Sequence, residues 1–228
     1  MSQRVYKIFS EVHSHYDAVN TICSLGTIVK WRKVGAKEAT INKESYKLLD
    51  IATGTGEFAI TLDSEAKRQG KKVEITGVDF SENMLSVAKR KAKEKNLDIR
   101  FEHGDAMHLK YPDKSFDVVT SSFALRNVDD LNKFCSEAKR VLKPGGRFVF
   151  MDMAKPDKAW QRAFLKFFWG VSGIIGFAEY KEAFEWLMVS VDRFDKENFV
   201  KIVKKNGFKN VKKKNLISGA AFMVTGHK

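Results

Sequence analysis

Hydrophobic positions along the chain predict a parallel β-sheet whose strands alternate with helices. Beyond residue 44, short apolar runs of strand length alternate with amphipathic segments of helical period. The predicted strands are SYKLLDIA, VEITGVD, IRFEHGD, FDVVTSSF and RFVFMDM. Strands that alternate with helices of about 10 to 15 residues build βαβ units, and such units form a doubly wound, mostly parallel sheet with helices on both faces.

The helices of this region have recognisable ends. Ser81 stands where an N-cap is expected before ENMLSVAKRKAKEK, and Glu82 lies in the first turn, where its charge complements the helix dipole. Helices are therefore predicted over about 81–96 and 129–142. The KPGG segment at 143–146 is expected to end the second helix and turn into the next strand.

The flanking segments complete a single predicted domain. Residues 1–44 predict amphipathic helices that form a lid over the core at 45–155. An aromatic-rich helical insertion follows over 156–194. Residues 195–228 predict a helix and an antiparallel hairpin of FKNVKKKN and AAFMVTG, which brings the expected sheet to seven strands.

Composition agrees with one globular core. With 228 residues and 43% hydrophobic content, the chain can bury a core of substantial size. Cys23 and Cys135 offer neither metal-ligand spacing nor a disulfide framework, so we expect no metal site and a reducing, cytoplasmic environment. The start of the sequence lacks the continuous apolar stretch of a secretory signal. The longest uncharged apolar run, 167–178, is shorter than the roughly 20 residues that cross a bilayer.

The net charge broadens the choice of partners. A formal charge of +13 favours an anionic partner such as nucleic acid or an acidic membrane surface. Lysines recur throughout, however, with a tight cluster only at 204–214, so a solvated lysine-rich surface explains the charge equally well. Because no separate RNA-binding module is present, we expect no nucleic-acid partner and keep peripheral contact with an anionic membrane open.

A glycine turn after the first predicted strand indicates a nucleotide site. Gly54, Gly56 and Ala59 spell G-x-G-x-x-A, which binds dinucleotides in many dehydrogenases and also opens folds that bind S-adenosylmethionine. Asp50 closes the first strand, and Asp79 closes the second, where a carboxylate can accept hydrogen bonds from both ribose hydroxyls. These features alone do not distinguish the two cofactors.

The end of the third strand favours S-adenosylmethionine. Asp105 follows that strand, where an acid can accept a hydrogen bond from the exocyclic amine of adenine, and the backbone at Ala106 can contact the ring edge. The fourth strand ends at Ser121–Phe123, and the carboxyl ends of parallel strands share one edge of the sheet. All of these residues are therefore expected around one ligand.

Longer segments make the assignment more specific. DAMHL, PDKSFDVV and RVLKPGGRFV, in this order, are landmarks of class I methyltransferases. With YDAVN, LDIATGTGE, VDFSENML, SSFALRNVDD, MDMAKP and the tail NGFKNVKKKNLISGAAFMVTGHK, the chain resembles the ubiquinone/menaquinone biosynthesis C-methyltransferase family over nearly its whole length. The resemblance implies a Rossmann-like fold and methyl transfer from S-adenosylmethionine to a ring carbon of a prenylated benzoquinol or naphthoquinol.

The resemblance also implies which residues bind the cofactor. Thr55, Asp79, Asp105 and Ser122 would contact it, and Tyr16 would help to cover it. The full predicted cofactor-binding set is Tyr16, Asp50, Gly54, Thr55, Gly56, Asp79, Phe80, Asp105, Ala106 and Ser122.

Departures from the family pattern concentrate on the acceptor side. The family has Met, an aliphatic residue and His where this chain has Val19, Cys23 and Ile28. After RVLKPGG it has Glu and Ser where this chain has Asp152 and Ala154, and in the tail His and Tyr where Val224 and His227 stand. These changes bear on the ring that is methylated more than on the cofactor.

Carbon methylation needs more than a bound sulfonium. An aromatic carbon becomes nucleophilic when a neighbouring hydroxyl loses its proton, so a base and a positive group are expected. Arg126 is the candidate for the positive group, or else it forms an ion pair at a helix start. Asn127 would orient the substrate hydroxyl or cap a helix, and Asp152, Asp105 or His103 would act as the base.

The aromatic stretch and the glycine turn leave alternatives. Residues 160–177 would line a channel for a prenyl tail at the membrane, or else form the core of a lid or the interface of a homodimer. The competing functions are methyl transfer to another lipid or small molecule, a nicotinamide-dependent oxidoreductase, and cofactor binding without catalysis.

Overall fold

A computed structural model describes residues 17, 21, 24, 26–163, 181–216 and 219–228. The strands are β1 (Ser45–Ile51), β2 (Lys72–Asp79), β3 (Ile99–His103), β4 (Phe116–Ser122), β5 (Leu142–Met153), β6 (Lys209–Asn215) and β7 (Ala221–His227). The helices are α1 (Thr27–Ala39), α2 (Glu57–Arg68), α3 (Glu82–Glu94), α4 (Leu131–Val141), α5 (Lys181–Arg193) and α6 (Lys196–Lys205), with a 3₁₀ turn at Leu125–Asn127.

The strands form one sheet in the order β3-β2-β1-β4-β5-β7-β6. Neighbouring strands from β3 through β5 are parallel, whereas β7 runs antiparallel to both β5 and β6. The predicted seven-stranded, mostly parallel sheet with a C-terminal hairpin is confirmed. The chain order reverses between β1 and β4, and such a switch point opens a crevice at the carboxyl ends of the strands.

Local capping explains where the helices begin. The hydroxyl of Ser81 accepts a hydrogen bond from the Met84 N–H and caps α3, as the sequence predicts. Asp130 caps α4 by accepting hydrogen bonds from the N–H groups of Asn132 and Lys133 at 2.9 and 3.0 Å, so this helix begins at Leu131, after the predicted start at about 129.

The KPGG segment behaves differently from the expectation of a separate turn. Strand β5 already begins at Leu142, which pairs with Phe116, and the pairing register then shifts before Arg147 pairs with Val118. Gly145 adopts a φ of 71° in this irregular stretch. The segment is therefore an irregularity at the start of β5, because the chain leaves α4 directly into the sheet.

Helix α1 packs closely over the sheet. A Cβ at Gly35 would lie 2.5 Å from the Sδ of Met151 on β5 and 3.2 Å from the ring of Phe58 on α2. The indole of Trp31 is buried within the same core cluster. This close approach fixes which face of α1 is turned toward the carboxyl end of the sheet.

Two sequence predictions lie outside the described residues. Apart from residues 17, 21 and 24, the helices expected before residue 26 belong to this part of the chain, and so does the aromatic stretch 164–177. Within the described part, none of the helices combines the length and apolar character needed to cross a membrane.

Candidate active site

A cavity lies at the carboxyl ends of β1, β2 and β4 and beside the segment that follows β3. Its described lining combines α1, the glycine turn, the strand ends and the turn after β4. The lining residues are Ile28, Arg32, Ala52–Thr55, Glu57, Phe58, Val78–Ser81, Met84, Gly104–Met107, Ser122–Ala124, Asn127 and Val128. Most of the predicted cofactor-binding residues are therefore brought to one place.

The two glycines of the turn do different things. Gly54 has a φ of 56°, and a Cβ placed on it would meet no atom of the described residues within 4 Å, so this side of the turn faces the cavity. Gly56 has a φ of 77°, but its Cβ would lie 2.9 Å from the Cβ of Ala88 and 3.0 Å from the ring of Phe101. Gly56 is outside the lining and permits the close packing of the turn instead.

Asp79 joins the end of β2 to the glycine turn. One carboxylate oxygen accepts the Gly54 N–H at 2.7 Å, and the other accepts the Ser81 N–H at 2.9 Å. Burial raises the pKa of Asp79, and the backbone hydrogen bonds offset that effect in part. The next residue, Phe80, lies in the lining with 41% of its surface exposed, and His103 donates to its carbonyl oxygen at 3.0 Å.

Asp105 lies in the lining beside Ala106. Its carboxylate accepts the Met107 N–H at 2.9 Å and the Nδ1–H of His108 at 2.9 Å. Burial alone raises the pKa of Asp105, but the hydrogen bonds from His108 and Met107 outweigh it and leave the pKa below its ordinary value. Asp105 is therefore an oriented acceptor that stays ionised at neutral pH, and Ser122 lines the cavity at the end of β4.

A chain of charges connects Thr55 to α3. The Thr55 hydroxyl donates to Asp17 at 2.8 Å, and Asp17 is also ion-paired with Lys91. Lys91 pairs in turn with Glu57, the first residue of α2, at 2.7 Å. The neighbouring Tyr16, predicted to cover the cofactor, lies outside the described residues.

The prediction that Asp50 contacts the cofactor is not supported. Asp50 is fully buried and outside the lining, and it accepts hydrogen bonds from the hydroxyls of Thr53 and Thr120 at 2.7 Å each. Burial raises its pKa to about 6, against the opposing effect of the two hydroxyls. Asp50 therefore holds Thr53, which does line the cavity, rather than reaching the cavity itself.

Arg126 and Asp152 are also absent from the described lining, so their predicted roles as cation and base gain no support, and Arg126 takes the ion-pair alternative instead. Their side chains form an ion pair with exposed fractions of 5% and 0%. Asp152 also accepts the N–H of Arg126 at 3.0 Å, and the guanidinium donates to the Phe123 carbonyl at 2.9 Å. Each charge is neutralised by the other. Together with the two backbone hydrogen bonds, the pair fixes the turn after β4 against β5.

Asn127, the third predicted catalytic residue, does line the cavity. Its side-chain oxygen accepts a hydrogen bond from the indole N–H of Trp186 at 3.0 Å. Trp186 belongs to α5, so Asn127 connects the turn after β4 with the helical insertion.

Sequence reasoning missed several residues of the lining. Arg32 lies one helical turn after Ile28, which the family comparison had already placed on the acceptor side, and this spacing on α1 was the available signal for Arg32. Thr53 stands within the glycine segment and follows from the strand-end rule that gave Asp79 and Asp105, whereas Phe123 was already expected there.

Comparison with known proteins agrees with this geometry. The family model described as "ubiE/COQ5 methyltransferase family" matches residues 1–228. The chain is 39% identical to proteins named demethylmenaquinone methyltransferase from Staphylococcus saprophyticus and from Staphylococcus haemolyticus. These matches cover 99% of this chain and 97% and 94% of those proteins.

A solved structure supports the fold. Phosphoethanolamine N-methyltransferase 2 of Haemonchus contortus, in complex with S-adenosyl-L-methionine, is 20% identical with a TM-score of 0.65. That similarity covers 87% of this chain and 52% of the other. With the family match over the full chain, the protein is an S-adenosylmethionine-dependent methyltransferase and belongs to the ubiE/COQ5 methyltransferase family.

Proposed function

We propose that this enzyme methylates a ring carbon of a prenylated naphthoquinol of the demethylmenaquinol type. The observation that carries the proposal is the name shared by relatives that are 39% identical over 99% of the chain. The cavity at the switch point supports it, because oriented carboxylates and an apolar surface lie there together.

The carboxylates give the cofactor an orientation in this proposal. Asp79 accepts from the ribose hydroxyls, and Asp105 with the backbone of Ala106 binds the adenine edge. Each carboxylate oxygen already accepts one N–H from the protein, so its direction is fixed while lone pairs remain for a ligand. Phe80, Gly54, Thr55 and Ser122 complete the cofactor contacts, and Tyr16 covers them as the family resemblance implies.

The acceptor would lie against the apolar part of the lining. Ile28, Phe58, Phe123 and Val128 offer an uncharged surface suited to a naphthoquinol ring. Ile28 stands where the family pattern has His, so this wall is where ring specificity would differ. Asn127 would hold a substrate hydroxyl, with its side chain oriented by the indole of Trp186.

The reaction itself needs an electron-rich ring. When a quinol hydroxyl loses its proton, the adjacent ring carbon attacks the sulfonium methyl, a new carbon–carbon bond forms and the methyl–sulfur bond breaks. The electron pair of the broken bond would stay on sulfur, giving S-adenosylhomocysteine, and the ring carbon would pass its proton to water as aromaticity is restored. Arg126 and Asp152 contribute as positioning residues, because their pair shapes the turn that presents Phe123 and Asn127 to the cavity.

Methyl transfer to defined acceptors tests the proposal. Purified protein is incubated with methyl-labelled S-adenosylmethionine and either a short-chain demethylmenaquinol, a demethylated ubiquinol precursor or a lipid extract of the source organism. Label carried by a carbon-bound methyl of the naphthoquinol is expected. The oxidised quinone serves as control, because its ring carbon lacks the electron density for attack. Label confined to the benzoquinol or to another lipid would contradict the proposed acceptor.

Membrane contact forms a second part of the proposal. A prenylated acceptor resides in the bilayer, the chain carries a net charge of +13, and Trp160, at the start of the insertion, is 66% exposed. Sedimentation with anionic and neutral vesicles at physiological salt measures this contact. Retention on anionic vesicles that weakens in Trp160→Ala supports it, and no retention on either vesicle contradicts it.

The domain limits and the assembly predicted from the sequence are proposals of the same kind. We propose a lid at 1–44, the cofactor core at 45–155, an acceptor-side insertion at 156–194 and a C-terminal unit at 195–228. Proteolysis is expected to cut first near the limits of the insertion. The homodimer stays a prediction, which the mass from light scattering tests directly.

A further inference from the structure

Helix α1 carries one basic side chain into the cavity lining. Arg32 lies one turn after Ile28 on the same face, and its side chain is only 10% exposed. The close packing at Gly35 presses this face against the carboxyl end of the sheet. Among the described lining residues Arg32 is the cation, whereas Glu57, Asp79 and Asp105 are acids.

The guanidinium of Arg32 is incompletely bonded. Its Nε is buried and has no hydrogen-bond partner among the described residues. The carboxylate of Glu57 lies 4.0 Å from the guanidinium and is itself bound at 2.7 Å by Lys91. The Nε of Arg126 likewise lacks a hydrogen-bond partner in the described part of the chain, but the charge of Arg126 is matched by direct contact with Asp152 outside the cavity. A buried cation with unused donors is costly, so Arg32 is poised for an anion.

A second positive feature lies beside it. Helix α2 begins at Glu57, and its N-cap, Gly56, provides no side-chain hydrogen bond to the first turn. The N–H groups of an uncapped first turn and the helix dipole together attract negative charge. Because Arg32 approaches Glu57, the guanidinium and the start of α2 converge on one end of the cavity.

We propose that Arg32 binds the carboxylate of the methionine part of S-adenosylmethionine. This inference rests on the cofactor placement under the proposed function. With the ribose at Asp79 and adenine at Asp105, the amino-acid end extends from the glycine turn toward α2 and α1. At neutral pH that carboxylate is the one anionic group of the cofactor, and a guanidinium can bind it with two parallel hydrogen bonds.

Two ligands that differ in the amino-acid part test this role by titration calorimetry. S-adenosylhomocysteine carries the carboxylate, and 5′-methylthioadenosine lacks the whole amino-acid part. Arg32→Met should lower the affinity for S-adenosylhomocysteine at least about tenfold, as expected for loss of a hydrogen bond between charged groups. The same variant should bind 5′-methylthioadenosine within about twofold of the wild type, since the affinity of the nucleoside end is unchanged.

Controls separate this role from a structural one. Arg100→Met removes an arginine that is 63% exposed and should change neither affinity. If Arg32→Met does not fold, Arg32→Lys keeps the charge but loses the two-pronged bond, and a selective loss for S-adenosylhomocysteine is expected again. An equal loss for both ligands, or an unchanged S-adenosylhomocysteine affinity, would overturn the assignment. A wild-type protein that binds neither ligand would contradict the proposed cofactor site and Arg32's role with it.

Discussion

The guanidinium of Arg126 and the carboxylate of Asp152 form a buried ion pair between the turn after β4 and strand β5. The two residues are 26 positions apart, and the pair is completed by the Arg126 N–H and the Phe123 carbonyl. Phe123 and Asn127 flank this pair and line the cavity. This part of the cavity wall is thereby supported by two charged side chains that do not themselves line the cavity.

Removing one partner of this pair should destabilise the fold strongly. Arg126→Met leaves Asp152 charged and buried, and a broken buried pair typically costs about 3 to 5 kcal/mol. Urea unfolding measures the loss. The double variant Arg126→Met/Asp152→Asn should lose less than the sum of the single variants, because neither charge is left alone.

The control for this experiment is a surface pair. Arg68 and Glu65 are bonded on α2, and the Arg68 side chain is 65% exposed. Arg68→Met should cost at most about 1 kcal/mol. A similarly small cost for Arg126→Met, with methyl transfer lowered but folding unchanged, would support a direct catalytic role instead.

Asp50 should make stability depend on pH in a definite direction. Burial raises its pKa to about 6 from an ordinary value of 3.8. Between these values the folded state binds the proton more tightly, so this stabilisation is complete below about pH 4 and is lost as pH rises through 6. About two pKa units correspond to about 3 kcal/mol in the free energy of unfolding.

The variant Asp50→Asn removes this titration. Chemical unfolding of both proteins from pH 4 to 7 should show the variant gaining stability relative to the wild type as pH rises. Asp98→Asn, on the exposed stretch before β3, is the matched control and should give a constant difference. A constant difference for Asp50→Asn as well would contradict the raised pKa.

The sequence predicts the parts of the site that local rules determine. The glycine turn, Asp79 and Asp105 follow from motifs at strand ends, and of the described turn and strand-end residues expected around the ligand, Gly56, Asp50 and Ser121 do not line the cavity. Successive side chains at the end of a buried strand point in opposite directions. The sequence alone does not say whether the side chain of Asp50 points toward the cavity or into the core. The pairing of Arg126 with Asp152 depends on the packing of β4 against β5, which no local pattern encodes. Arg32 was missed because the orientation of α1 depends on the tight contact at Gly35.

Lys91 should contribute to cofactor affinity from outside the lining. It bonds Asp17, which accepts from Thr55 in the glycine turn, and it bonds Glu57 at the start of α2. Lys91→Met leaves both acids without their shared cation, so Thr55 is held less firmly. Calorimetry should show S-adenosylhomocysteine binding weakened by about three- to tenfold, or about 1 kcal/mol.

A neighbouring lysine provides the comparison. Lys89 lies on the exposed face of the same helix, so Lys89→Met changes the net charge equally without touching the turn. Its affinity should equal that of the wild type. Equal losses in both variants would assign the effect to overall charge rather than to the contacts of Lys91.

Substitution of the two glycines of the turn should affect different properties, stability at one position and cofactor affinity at the other. Both have positive φ, so Gly54→Ala and Gly56→Ala each incur about 1 to 2 kcal/mol of backbone strain. At Gly56 the methyl group also meets Ala88 and Phe101, so this variant should lose more stability in thermal unfolding. At Gly54 the methyl group points into the cavity. This variant should therefore lose less stability than Gly56→Ala but more affinity for S-adenosylhomocysteine. If the order of the two effects were reversed, Gly56 rather than Gly54 would be the glycine that the cofactor approaches.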